Sequence, residues 1–297
     1  MNAKNAHIAH HGIFNIPLRE YINDPAPVPS LNSGTAHRLL TASPLHAWTD
    51  HPRLNDKYVS EQLSRLELGT IVHALLLEKD RSRVVLVEAE DWRTKAAKEK
   101  RDEARALGKL PILSKDMAEA ESMVSVATKA IGASEIAGDF ATAIPEQTLI
   151  WEDEGIWCRS RPDKATKDWK VLFDYKTVAG SANPKTFMRA ILQHGYDLQA
   201  VLGLRGVERL RLADKSTFIF IAQEIDPPYA VSFVSLNPEW VKFADDKLRM
   251  AMSIWKGCLR TNEWPAYSNR IAYLEPPPYA VIGWDENLPE IDAEDFI

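Results

Sequence analysis

Asp163, Asp174 and Lys176 are the residues of this chain whose types and spacing can do chemistry. They lie in RSRPDKATKDWKVLFDYKTV, residues 159–178. Strand side chains alternate faces, so Asp174 and Lys176 share one face of the strand KVLFDYKTV, about 7 Å apart. Phe173, Tyr175 and Thr177 point the other way. If the run GIWCRSRPD pairs beside this strand, Asp163 comes close to Asp174. Two convergent carboxylates suit a hard divalent cation, which prefers oxygen ligands and keeps several waters for a substrate. A protonated lysine is no ligand, but it can hold or deprotonate an attacking water and stabilise charge developing on a phosphate. Taken alone, Asp-x-Lys on a strand is more often a solvated face carrying a weak ion pair. The apolar KVLF beside it argues for burial, and buried charges need partners or a metal.

Two other groups stand out. LGTIVHALLLE places Gly69 and His73 four residues apart on a helix. Glycine is costly inside a helix and points to close approach by another backbone. A lone histidine on an apolar helix is more often a packed core residue than a ligand. QHGYDLQA (193–200) spaces Gln193, Tyr196 and Gln199 at i, i+3 and i+6, along one helical face. That face suits hydrogen bonds to a phosphate or a water, and equally suits plain solvent.

The elements that must position these residues read as a mixed series. Helices are expected over 30–48, 60–80, 113–133, 183–210 and 238–261. Asn32 or Ser33 caps the first, Ser114 the third, and Pro238 opens the last. RVVLVEAE (83–90), EQTLIWED, GIWCRSRPD, KVLFDYKTV, STFIFIAQE and YAVSFVSLN read as strands, with a tight turn at Glu154-Gly155. The order predicts an α/β fold of the mixed α+β kind: a central mixed sheet flanked by helices. One domain is expected over 1–270, with a Pro-rich and then acidic tail over 271–297.

The chain has 297 residues and a net charge of −6. The last thirteen residues, DENLPEIDAEDFI, carry six acids and no base, so the body without them is neutral. RTKAAKEKRDEARALGK (93–109) carries seven bases against three acids. Overall acidity therefore does not exclude a nucleic-acid partner, because charge distribution matters more than its sum. The acidic tail reads as a solvated end or as a peptide for a partner such as a single-strand annealing protein. No run of eighteen apolar residues reads as a membrane span. The N-terminus shows no apolar secretory core, and its His7, His10 and His11 are assigned no metal. Two cysteines are too few for a disulfide framework, so a reduced, cytoplasmic protein is expected.

Taken in order, Gly69-x-x-x-His73, Asp163, Asp174-x-Lys176 and Tyr196-x-x-Gln199 resemble the PD-(D/E)XK nuclease superfamily. More narrowly, they resemble the C-terminal nuclease domain of exonuclease VIII (RecE). LNSGTAHRLLTASPLHAW and WRTKAAKEKRDEARALGKLPILSKDM are similar to further segments of that family. The resemblance implies a Mg²⁺-dependent 5′→3′ exonuclease, with Mn²⁺ as a substitute, acting on linear double-stranded DNA in phage-type recombination. It implies metal ligands at His73, Asp163, Asp174 and the Tyr175 carbonyl, a catalytic Lys176, and substrate- or water-orienting roles for Gln199 and Tyr196. Glu146 would match an acidic position of related nucleases. Family members form rings, which implies a homo-oligomeric ring here. Many relatives carry Gln-x-x-x-Tyr on the later helix; here Gly203 stands four residues after Gln199. The rival readings are a DNA-end-binding recombination scaffold with little nuclease activity, and an endonuclease or single-strand nuclease on the same fold.

Overall fold

The computed structural model describes residues 7–58, 68–277 and 281. Residues 1–265 make one compact unit and residues 266–297 a second. Residues 266–277 of the second carry no helix or strand. The acidic run 285–297 and the first half of the helix expected over 60–80 lie outside the described residues.

In chain order the first unit contains β1 (Gly12–Phe14), α1 (Leu18–Ile22), α2 (Ser33–Thr41), α3 (Pro44–Thr49) and α4 (Leu68–His73). A π-helical turn, Ala74–Glu78, continues α4 directly, and a short 3₁₀ turn follows at Arg81–Arg83. Next come β2 (Val84–Val87), α5 (Lys95–Ala106), β3 (Leu110–Leu113), α6 (Ser114–Gly132), α7 (Ala137–Thr142) and β4 (Ile144–Pro145). The central run is β5 (Thr148–Asp153), β6 (Ile156–Ser160), β7 (Lys164–Ala165) and β8 (Val171–Val178). The chain ends its regular structure with α8 (Pro184–His194), α9 (Tyr196–Arg209), β9 (Thr217–Glu224), β10 (Val231–Ser235) and α10 (Pro238–Thr261).

The main sheet has the order β10-β9-β8-β7-β4. Only β8 and β9 pair in parallel within it, and α8 with α9 supply the crossover that a parallel pair needs. The two faces of β8 are divided by alternation. Leu172 packs with Phe218 and Phe220 of β9 against α2, α9 and α10 in the larger core cluster. Phe173 and Tyr175 pack with Ile221 against α4 and α6 in a second cluster. Helices therefore cover both faces, the mixed α/β architecture expected from the order of elements. A three-stranded sheet β1-β5-β6 and a parallel pair β2-β3 lie outside the main sheet.

Several expectations need correcting. GIWCRSRPD is not one strand beside β8. Its first part, β6, pairs with β5, and only Lys164–Ala165 pairs with β8. Pro162, which has no N–H to give a ladder, stands in the break. The helix expected over 183–210 is two helices, broken at Gly195 with φ 68. Gln193 is thus on α8 and exposed, off the face that carries Tyr196 and Gln199. Ser114 is the first residue of α6 rather than its cap, and no side chain caps that helix. The segment ahead of it contains β3, which periodicity missed because four residues buried on both sides show no alternation. The basic segment is an ordered helix, α5, anchored through Ala97 and Ala104. Asn32 caps α2 by accepting from the Thr35 N–H, and Glu154-Gly155 forms the β5–β6 turn with positive φ at both residues.

Gly195 sets the start of α9 and hence the placement of Tyr196 and Gln199. Its left-handed backbone disfavours a side chain, and a Cβ there would lie 2.5 Å from His37 Nδ1. Gly195→Ala is expected to destabilise the protein by about 1–3 kcal/mol, read as a lower urea midpoint at unchanged slope.

Candidate metal and phosphoryl-transfer site

The sheet positions the acidic residues at an edge. β7 pairs with β8 through Lys164↔Phe173 and Ala165↔Leu172, and β4 pairs with β7 through Ile144↔Ala165 and Pro145↔Lys164. Glu146 and Asp163 therefore step off these two-residue strands side by side. The Glu146 N–H donates to the Asp163 carbonyl at 2.9 Å. Glu146 itself sits in the left-handed region, φ 60, where a side chain is strained. Beyond the end of β7, the Asp163 carboxylate takes over its ladder role: Oδ2 accepts from the Tyr175 N–H at 2.6 Å. A strand residue presents its N–H and C=O to the same edge. The Tyr175 carbonyl accordingly faces the same edge as Asp163.

Asp174 and Lys176 face α9. Asp174 is 1% exposed. Its Oδ1 accepts from Gln199 Nε2 at 2.6 Å. Its Oδ2 lies 2.5 Å from Lys176 Nζ, yet accepts no aligned hydrogen bond. The Lys176 ammonium sits 4.7 Å from the centre of the Tyr196 ring, a cation–π contact that fixes its direction. His73 arrives from the opposite face, on α4. Its Nε2 is 3.0 Å from Asp163 Oδ1 and 3.6 Å from Glu146 Oε1. Gly69 makes that approach possible, because a Cβ there would lie 2.6 Å from Thr177 Oγ1. The close neighbour is a β8 side chain rather than a backbone.

The charges explain one another. Burial disfavours the His73 imidazolium, but Asp163, then Glu146 and Asp174, overcome this and raise its pKa to about 9. Burial works against the Asp163 carboxylate, but His73 and then Lys176 hold its pKa below the ordinary value. Asp174 moves the other way: burial, then the neighbouring Asp163, push it up to about 6. Burial and Asp163 also raise Glu146, against the pull of His73 and Arg161. Burial opposes the Lys176 ammonium, and Asp174 with Asp163 more than restores it. The carboxylates are balanced by the imidazole of His73, the ammonium of Lys176 and the guanidinium of Arg161.

The structure thus brings together His73, Glu146, Asp163, Asp174, the Tyr175 backbone, Lys176, Tyr196 and Gln199. It adds three residues that spacing did not single out: Glu78, Arg83 and Arg161. Among the described residues, Glu78 forms with His73 and Glu146 the grouping of three whose ligand atoms all lie within 4.8 Å of one another, and Asp163 and Asp174 are not part of it. Five residues apart, His73 and Glu78 fall on different faces of an α-helix, but the intervening π turn has i→i+5 bonds and realigns them. Arg83 Nη1 holds Glu78 at 2.6 Å. Arg161 donates from Nε to Glu146 at 2.5 Å. The missing tyrosine at position 203 also has a physical reason. A Cβ on Gly203 would lie 3.2 Å from the Phe218 ring and 3.4 Å from Leu172, so a larger side chain there requires these buried neighbours to shift.

The donor set, carboxylate oxygens with one imidazole, fits a hard divalent cation. A family model described as a PDDEXK-like domain of unknown function (DUF3799) matches residues 35–277. No curated protein matches the chain. Among solved structures, a putative exonuclease from Eubacterium rectale superposes with a TM-score of 0.58 at 12% identity, covering 90% of this chain and 98% of its own. An alkaline exonuclease from Laribacter hongkongensis matches at 11% identity, with a TM-score of 0.29, over 68% of this chain and 95% of its own. A phage-related exonuclease from Haemophilus somnus matches at 12% identity, with a TM-score of 0.28, over 67% and 96%.

The raised pKa of His73 has a readable consequence. The imidazolium contributes stability that is fully present below the ordinary histidine pKa and is lost as pH rises through about 9. In metal-free protein, the His73 ring resonance in ¹H–¹³C spectra is expected to titrate near pH 9. In Asp163→Asn the midpoint should fall toward the ordinary value. A wild-type midpoint near that ordinary value would contradict the ion pair.

Proposed function

The chain belongs to the PDDEXK-like family, and from that premise we propose that it is a metal-dependent deoxyribonuclease, a 5′→3′ exonuclease on linear double-stranded DNA. The observation that supports this most is the convergence of Asp163, Asp174 and Lys176 on one sheet edge, tied by the Tyr175 N–H. His73, Asp163, Asp174 and the Tyr175 carbonyl would hold Mg²⁺ or Mn²⁺, with Glu146 and Glu78 beside them. A bound cation would polarise the scissile phosphate and lower the pKa of a water.

The protein's own groups do the rest. Gln199 fixes Oδ1 of Asp174 and so turns Oδ2 toward Lys176. Lys176, backed by the Tyr196 ring, holds the attacking water and offsets charge growing on the phosphate oxygens. The basic helix α5 contacts phosphates without reading sequence. Both cysteines are free and buried, in keeping with a reducing cytoplasm. Among the described residues no helix is long and apolar enough to cross a membrane. A ring of several copies threaded by DNA, with a single-strand annealing protein as partner in phage-type recombination, completes the reading. The nuclease unit would be residues 1–270, with 271–297 as its tail.

The test is digestion of linear duplex labelled at either end, with closed circular and single-stranded DNA alongside. Release of 5′ label from linear duplex alone, dependent on Mg²⁺, is the expected result. Asp174→Asn and Lys176→Ala should each lower the rate at least about a hundredfold, with melting curves showing retained fold. Wild-type rates in both variants would remove these residues from the reaction.

A further inference from the structure

Two cavities open on the site from different sides. One, of about 740 Å³, is lined by Thr70, His73, Glu78, Glu146 and Gln147. The other, of about 450 Å³, is lined by Asn32, Arg38, Lys176 and Gln199. Arg161 lines both. Its side chain is only 8% exposed. Nε donates to Glu146 Oε2 at 2.5 Å, and Nη1 donates to the Ile16 carbonyl at 2.7 Å and to Thr148 Oγ1 at 2.9 Å. No described residue accepts from Nη2.

The neighbouring arginines differ. Arg159 is held through Nη1 by the buried Asp24, 3.2 Å away, and by Ser30, and its free Nε is buried, while its side chain lines only one of the two cavities. Arg38 pairs with Asp50 at 2.8 Å on a half-exposed surface. Arg83 is occupied by Glu78. Arg161 alone among these four is held rigid on one edge, with a donor left over where the two cavities meet. A guanidinium with a fixed plane and a spare N–H suits a phosphate oxygen, and three fixed bonds remove most of the ordering cost of making a fourth.

We propose that Arg161 is a substrate-contact residue whose Nη2 edge holds a non-scissile phosphate of the DNA strand as it passes between the two cavities. Its bonds to Glu146, Ile16 and Thr148 keep it in place for that contact. The proposal rests on the nuclease reading of the site and adds to it a residue outside the Asp–Asp–Lys set.

The experiment measures binding of a fluorescein-labelled duplex with a frayed end, by anisotropy, with Ca²⁺ in place of Mg²⁺. A series of duplexes carries one neutral methylphosphonate at each successive position near the end. In wild type, one position is expected to weaken binding by about tenfold or more, the effect of losing a charged hydrogen bond. In Arg161→Gln that position should become silent while the others keep their effect. Arg161→Lys, which retains the charge without the fork, should fall between. If Arg161→Gln fails to fold, Arg161→Lys carries the comparison. An identical profile in wild type and variant overturns the proposal, as does a wild-type series with no sensitive position. Absence of Mg²⁺-dependent hydrolysis in wild type would instead strike the nuclease reading, while the Ca²⁺ profile still reports on Arg161.

Discussion

Buried carboxylates repel one another, and the whole site is organised around that fact. Glu146, Asp163 and Asp174 converge where the sheet leaves little water to screen them. Such a group persists only with positive charge among it. The protein supplies three cations from three directions: His73 from α4, Lys176 from β8 and Arg161 from the segment before β7. Each is directional, through an imidazole nitrogen, an ammonium on an aromatic ring, or a guanidinium fork. A divalent cation would enter by displacing the His73 proton, so binding and proton release are linked.

The edge of β8 is where that arrangement becomes possible. Because β7 is only two residues long, β8 continues past it with unpaired backbone groups. Asp163 fills the next ladder position with a side chain instead of a strand. A longer β7 would have satisfied the Tyr175 N–H with a carbonyl and left no room for a carboxylate. The break at Pro162 and the strained backbone of Glu146 both serve this edge. On the faces, Gly69 brings α4 against Thr177, while Gly195 restarts the helix that carries Gln199 to Asp174.

Much of this was legible in the sequence, for reasons that particular residues show. Strand alternation placed Asp174 and Lys176 together and Phe173 with Tyr175 opposite, because a two-residue period leaves no other choice. The α-helical period placed His73 one turn from Gly69. What escaped the sequence were departures from regular geometry. The π turn brings Glu78 round to His73, against α-helical spacing. GIWCRSRPD leaves its sheet at Ser160, and the two residues that do pair with β8, Lys164–Ala165, lie just past it, which hides how short β7 is. Arg161 carries no pattern of its own, because its partners, Ile16 and Thr148, lie far away along the chain. Local patterns report faces and periods; they do not report which distant backbone supplies an acceptor.

We propose this edge as a divalent-cation centre organised by Asp163 and Asp174. The most direct measurement is anomalous diffraction from a crystal soaked in Mn²⁺. A strong peak is expected, bounded by His73 Nε2, the carboxylates of Asp163 and Asp174, and the Tyr175 carbonyl. A crystal without any peak there, or with density only between Glu78 and Glu146 and none near Asp174, would contradict it.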